Sequence, residues 1–127
     1  MGNITMSGFK REENIMKQVA VIHTAFEDSP RTVAFVNVPD DMPVMTALEY
    51  AYKRTNNIEG SWSKGETFEW EGETFVNPDF SSDVTVMAAL PVVDGKEFGL
   101  RSTSMGDQML FGTTKYKVAA FGFEEIA

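Results

Sequence analysis

Residues 31–54, RTVAFVNVPDDMPVMTALEYAYKR, hold a strand running into a helix, and that succession decides the fold class. In Arg31–Val38, Val33 and Phe35 alternate with Thr32 and Ala34, the period of two expected of a strand. Asp41 is placed to cap a helix N-terminus, and Pro43 falls in the first turn, where its missing N–H costs nothing. From there the apolar residues are Val44, Ala47, Leu48, Ala51 and Tyr52, the single stripe of an amphipathic helix. Lys53 and Arg54 complement the dipole of its last turn, and Asn56-Asn57 is the stop signal.

Upstream, Val19–Phe26 is rich in β-formers and ends at the turn cluster Glu27–Pro30, which predicts an antiparallel hairpin with Arg31–Val38. Downstream, Val84–Leu90 reads as a buried strand, and Asp94-Gly95 as a turn between Val92-Val93 and Phe98–Leu100. Two further strands, Gln108–Phe111 and Lys115–Phe121, flank Gly112–Thr114, with Tyr116, Val118 and Ala120 on one face. A hairpin, one helix and a return to strands predict an α+β fold. The sheet is expected to be mostly antiparallel, β-grasp-like or a small barrel, with one main amphipathic helix.

A chain of 127 residues has room for one core, and its 43% apolar and 24% charged residues are ordinary for a globular domain. No cysteine is present, which excludes disulfides, thiolate metal sites and Cys nucleophiles and fits a reducing compartment. The opening residues lack the apolar stretch of a signal peptide, so Asn3-Ile4-Thr5 reads as a chance glycosylation match and a cytoplasmic location is expected. The net charge of −8 opposes direct contact with nucleic acid or anionic membrane and suits a basic partner.

Residues 1–15 are polar and without period, and Met16 stands just before the first strand pattern. Glu12-Glu13 can be encoded by a ribosome-binding sequence placed to start translation at Met16. A translated leader is therefore one expectation for residues 1–15, and a flexible tail the other. The single α+β domain is expected over 16–127.

Residues 58–83 form the most distinctive stretch. Gly65-Glu66-Thr67-Phe68 recurs as Gly72-Glu73-Thr74-Phe75, and Glu71-Gly72 can turn a hairpin between the copies. Seven acidic residues face Lys64 alone, which accounts for six of the eight net negative charges. Trp62, Phe68, Trp70, Phe75 and Phe80 are interleaved with them. One reading is a solvated loop whose aromatics pack on the core. The other is a protein-binding arm, with Trp62, Phe68, Trp70 and Phe75 as anchors and Glu66, Glu69, Glu71 and Glu73 as steering charges. An acidic strip of this kind can also imitate the phosphate row of DNA.

Near the C-terminus, Arg101-Ser102-Thr103-Ser104-Met105-Gly106-Asp107 is followed by Tyr116-Lys117-Val118 and Phe121-Gly122-Phe123. This pattern resembles small uncharacterised proteins of bacteriophages and other mobile elements, which also carry an amphipathic helix ending in an Asn-containing segment, as at Ala47–Asn57. The resemblance spans roughly half of the chain with moderately specific motifs, and it implies a mobile-element origin without an assigned activity. Physically, Gly106 offers a permissive φ and Asp107 a carboxylate for nearby N–H groups, a structural turn. Arg101 with Ser102 and Ser104 is the alternative, an anion-binding pocket.

Catalytic signatures are sparse. His23, the only histidine, can be drawn into a triad with Asp107 and Ser102 or Ser104, but no nucleophile elbow exists. Glu69 and Glu71 would share a strand face, as a glycosidase pair does, if that arm were extended. Asp40-Asp41 reads as a turn and cap rather than a metal pair, and no phosphate loop or cofactor motif is present. The leading expectation is a non-enzymatic phage or mobile-element protein that binds and blocks a host protein, such as a defence or nucleic-acid enzyme. The alternatives are a self-associating virion component, which makes a homo-oligomer, and an anion-binding or hydrolytic protein using Arg101–Asp107.

Overall fold

The computed structural model describes residues 16–126, so the leader or tail expected over 1–15 lies outside the described residues. Strands β1 (Met16–His23) and β2 (Arg31–Pro39) form the predicted hairpin, and α1 spans Val44–Arg54. Two small hairpins follow, β3 (Thr67–Trp70) with β4 (Glu73–Val76), and β6 (Val92–Val93) with β7 (Lys96–Glu97). Between them lies β5 (Val84–Val86); β8 (Gln108–Phe111), β9 (Thr114–Val118) and β10 (Phe123–Ile126) close the chain as a meander.

The main sheet has six strands in the order β10-β9-β8-β1-β2-β5, antiparallel at every pairing. The α+β class therefore holds. Among the described residues, the sheet has no parallel pair of the kind a β-grasp carries, and its outer strands β10 and β5 do not pair with each other as a closed barrel requires.

Cross-strand register explains the core. Val19 lies between Val36 and Phe111, and Val21 between Ala34 and Met109. These side chains line one face with Val38, Tyr116 and Val118, and Ala47, Leu48 and Ala51 of α1 belong to the same buried cluster. The opposite face carries polar residues such as Gln18, which hydrogen-bonds Asn37, and the exposed Lys115 and Lys117.

Several local expectations are corrected. A bulge shifts the register between Val21 and Ile22, leaving Val33 between their partners Ala34 and Thr32. Ala34, Val36 and Val38 thus face the core, and Phe35 is only half-buried. Asp41 makes no cap: Pro43 is the N-cap residue, without a side-chain hydrogen bond. The helix stops at Thr55, whose hydroxyl donates to the Ala51 carbonyl and competes with further winding. Val84–Leu90 is not a buried strand: pairing covers Val84–Val86 alone, at an edge, and Met87 is exposed. The second strand at the Asp94-Gly95 turn is Lys96–Glu97 rather than Phe98–Leu100. The strand from Lys115 ends at Val118, where the chain turns at Ala119–Gly122 into β10, which the sequence reading lacked.

Candidate functional site

Two constellations stand out, one buried and one exposed. The buried one centres on Asp107, whose side chain is wholly enclosed. Gly106 (φ +97) turns the chain so that this carboxylate points at the end of β1. The N–H groups of Thr24 and Ala25 donate to Oδ1 at 2.8 and 2.9 Å, and the N–H of Ser104 donates to Oδ2 at 2.8 Å. The strand predicted to reach Phe26 therefore stops at His23, its next two donors being diverted to Asp107.

Arg101 completes the arrangement. Its guanidinium donates to both oxygens of Asp107 (2.8 and 2.9 Å) and, from the other side, to both oxygens of Glu27 (2.7 and 3.0 Å). It also lies 4.8 Å from the centre of the Phe26 ring. Burial alone would raise the Asp107 pKa, but Arg101 and the three N–H groups outweigh it and hold it at about 2. The Asp107 carboxylate in turn raises the Arg101 pKa, and Arg101 lowers that of Glu27.

This geometry corrects the anion-pocket expectation. Arg101 places four hydrogen bonds on two carboxylates and a fifth on the Ser102 carbonyl, and the negative charge of the carboxylates repels an anion. Ser102 Oγ accepts the Asn57 N–H at 2.8 Å, and Ser104 Oγ donates to the Ser102 carbonyl at 3.2 Å. Arg101, Ser102 and Ser104 thus lock the segment to its surroundings, the structural role also read for Gly106-Asp107.

The triad drawing fails on the same grounds. His23 is buried and its Nε2 lies 3.0 Å from Thr103 Oγ1, not from a serine. Thr103 Oγ1 continues to Thr55 Oγ1 at 2.8 Å, tying β1 to the end of α1. Asp107 Oδ2 is 3.9 Å from His23 Nε2, beyond a hydrogen bond. Burial lowers the His23 pKa, opposed by the nearby Asp107 charge.

The exposed constellation is the β3–β4 hairpin. Glu71 (φ +50) and Gly72 (φ +80) form the two-residue turn that the repeat predicted, with the two positive φ values of a type I′ hairpin. Every residue from Gly65 to Val76 is exposed. Register pairs Phe68 with Phe75 and Trp70 with Glu73, so these four side chains share one face. The two Phe rings stack with centroids 5.5 Å apart, and Trp70 is 63% exposed. Glu69 lies on the other face, where it accepts the Thr74 hydroxyl at 2.7 Å. Glu71 sits in the turn, so it does not share a strand face with Glu69 as a glycosidase pair would.

The aromatic residues separate in the structure. Trp62, expected as an anchor, is 1% exposed and donates its indole N–H to the Arg101 carbonyl at 2.9 Å. It is a core residue. The acids separate too: Asp79 accepts the N–H groups of Ile58, Glu59 and Gly60, and Asp83 accepts the Tyr50 hydroxyl. Burial would raise the Asp79 pKa, but those N–H groups and Arg54 lower it. Glu66, Glu69, Glu71 and Glu73 remain as exposed carboxylates on or beside the hairpin.

A second exposed hairpin, β6–β7, escaped the sequence reading as a surface. Asp94 (φ +53) and Gly95 (φ +77) repeat the same turn geometry, and Val92, Val93 and Phe98 are 64%, 55% and 47% exposed. Both hairpins are rooted in residues 61–65. The Asn77 amide donates to the Ser61 and Gly65 carbonyls, Lys64 Nζ donates to the Glu97 carbonyl, and the Leu100 N–H donates to Ser63 Oγ. A groove of about 370 Å³ adjoins this root, lined in part by Phe68, Glu69 and Trp70. Another cleft, about 490 Å³, lies elsewhere, between α1 and the β9–β10 turn, with Glu49 as its charged side chain.

Among the described residues, no three His, Asp or Glu side chains cluster to hold a metal ion, and no helix is long and apolar enough to cross a membrane. No family model, curated protein or solved structure matches the chain.

Proposed function

We propose that this chain is a non-enzymatic binding protein that occupies a basic surface of another protein through the β3–β4 hairpin. The observation that carries the reading is that this hairpin gathers Phe68, Trp70 and Phe75 on one exposed face, beside carboxylates that no cation of the hairpin neutralises. An apolar face of this kind contributes nothing to the core, whereas aromatic anchors ringed by charge are the usual energetic centre of a protein interface. The carboxylates raise the encounter rate with a basic partner and disfavour nucleic acid. In a phage or mobile-element setting, which the C-terminal motif resemblance supports, the partner is a host protein met in the host cytoplasm. In that setting, defence and nucleic-acid enzymes form the natural target class.

Self-association through sheet edges has less support. Edge strand β5 is three residues long, and edge strand β10 carries Glu124 and Glu125, both of which discourage strand addition.

An affinity pull-down from host lysate tests the reading. Tagged protein beginning at Met16 is compared with a variant carrying Glu66, Glu69, Glu71 and Glu73 as Gln. A partner captured by the first and lost by the second is the expected result. Equal capture by both moves the site off the hairpin.

A further inference from the structure

We infer that the aromatic face of the β3–β4 hairpin recognises an arginine side chain of its partner, a guanidinium stacked on Phe68, Trp70 and Phe75 and paired with Glu73. The inference rests on the binding role proposed above and names the chemistry that the hairpin selects.

Three observations carry it. First, the face combines rings with a carboxylate in adjacent register: Trp70 lies directly opposite Glu73, next to the stacked Phe68–Phe75 pair. Rings offer their negative π-faces to a cation, and the carboxylate supplies an acceptor at the edge of the same patch. Second, the chain holds one of its own arginines in this manner. Arg101 lies over the Phe26 ring at 4.8 Å while Glu27, the next residue, accepts two of its N–H groups. Among the described residues the guanidinium groups over rings are those of Arg101 on Phe26 and Arg54 on Tyr50, and no cation of these residues lies over the hairpin rings. Third, the surrounding charge matches. Glu66, Glu69 and Glu71 flank the patch, and the nearest base in sequence, Lys64, directs its ammonium to the Glu97 carbonyl.

Arginine is favoured over lysine by shape. A planar guanidinium can lie flat on a ring while donating in its own plane to a carboxylate, and it is less strongly hydrated than an ammonium. A lysine reaches the same carboxylates as a point charge but gains less from the rings.

The test uses the two indole N–H signals of the intact protein, which report separately on the exposed Trp70 and the buried Trp62. Three capped peptides of equal length, Gly-Arg-Gly-Arg-Gly-Arg and its lysine and citrulline counterparts, are titrated into tryptophan-labelled protein. The arginine peptide is expected to shift the Trp70 signal saturably and leave that of Trp62 in place. It should bind roughly 3-fold or more tightly than the lysine peptide, with the citrulline peptide inert. Glu73→Gln, at an exposed site, should weaken the arginine peptide by roughly 2–5-fold. Equal responses to arginine and lysine, or an unmoved Trp70, would overturn the inference. An unmoved Trp70 together with a hairpin-dependent pull-down partner would sink the arginine chemistry alone. A specific arginine response without any such partner would instead sink the host-binding role.

Discussion

Asp107→Asn removes the charge at the centre of the buried network while preserving shape. The native carboxylate accepts three backbone N–H groups and two from Arg101, so both oxygens are fully used. An asparagine must turn an NH2 toward donors at one of these positions, and it leaves Arg101 with Glu27 alone. Breaking a buried ion pair on one side costs roughly 3–5 kcal/mol. Because Arg101 is 28% exposed and keeps its second partner, the lower end applies, about 3 kcal/mol at pH 7. The acid dependence has a definite sign. The folded pKa, about 2, lies below the ordinary 3.8, so the ionised carboxylate stabilises the fold above that ordinary value. That contribution, about 2 kcal/mol, fades as pH falls from roughly 4 through 2. Urea titrations followed by Trp62 emission measure both effects. The gap between wild type and variant should be widest near neutrality and shrink by most of its pH-dependent part toward pH 2. A variant within about 0.5 kcal/mol of wild type at pH 7, or a gap that stays constant down to pH 2, would refute the assigned role.

Other outcomes follow from the same geometry. His23 should titrate below 6.5, because burial disfavours its cation more than Asp107 favours it. The stability it contributes is complete above 6.5 and declines as pH falls through the folded value; an imidazole NMR titration at or above 6.5 would contradict this. Gly60→Ala places a Cβ 2.3 Å from Asn77 Oδ1, the acceptor of the Ser61 and Asp79 N–H groups, and should cost roughly 1–3 kcal/mol in thermal or urea unfolding. Trp62→Phe orphans the Arg101 carbonyl and should cost about 2 kcal/mol, whereas Trp70→Ala should stay within about 0.5 kcal/mol of wild type. Comparable losses at the two tryptophans would mean that the hairpin is part of the core.

What was legible in the sequence was written locally. The α1 stripe placed Ala47, Leu48 and Ala51 in the core, and the acid-Gly pairs at Glu71 and Asp94 fixed two hairpins through φ values that few other residue pairs tolerate. The Gly106-Asp107 turn was readable for the same reason. What was hidden depended on contacts distant in sequence. Arg101 resembles an anion ligand until Glu27, 74 residues away, is folded against it. Trp62 reads as one more aromatic of an acidic arm, and only its bond to the Arg101 carbonyl reveals it as core. The bulge at Val33 could not be read from alternation, since the extra residue is itself apolar. Strand β10 was missed because Phe123-Glu124-Glu125-Ile126, with two acids side by side, has no period of two and becomes a strand only through its partner β9.

The most direct measurement replaces residues 67–76 with a short Gly-Asn-Gly linker in protein beginning at Met16 and repeats the lysate capture alongside thermal unfolding. These ten residues are all exposed, so the shortened protein should melt within a few degrees of the original. It should also lose the partner that the full hairpin retains. A folded variant that still captures that partner would contradict a binding role for the hairpin, and loss of the fold would show that the hairpin is structural after all.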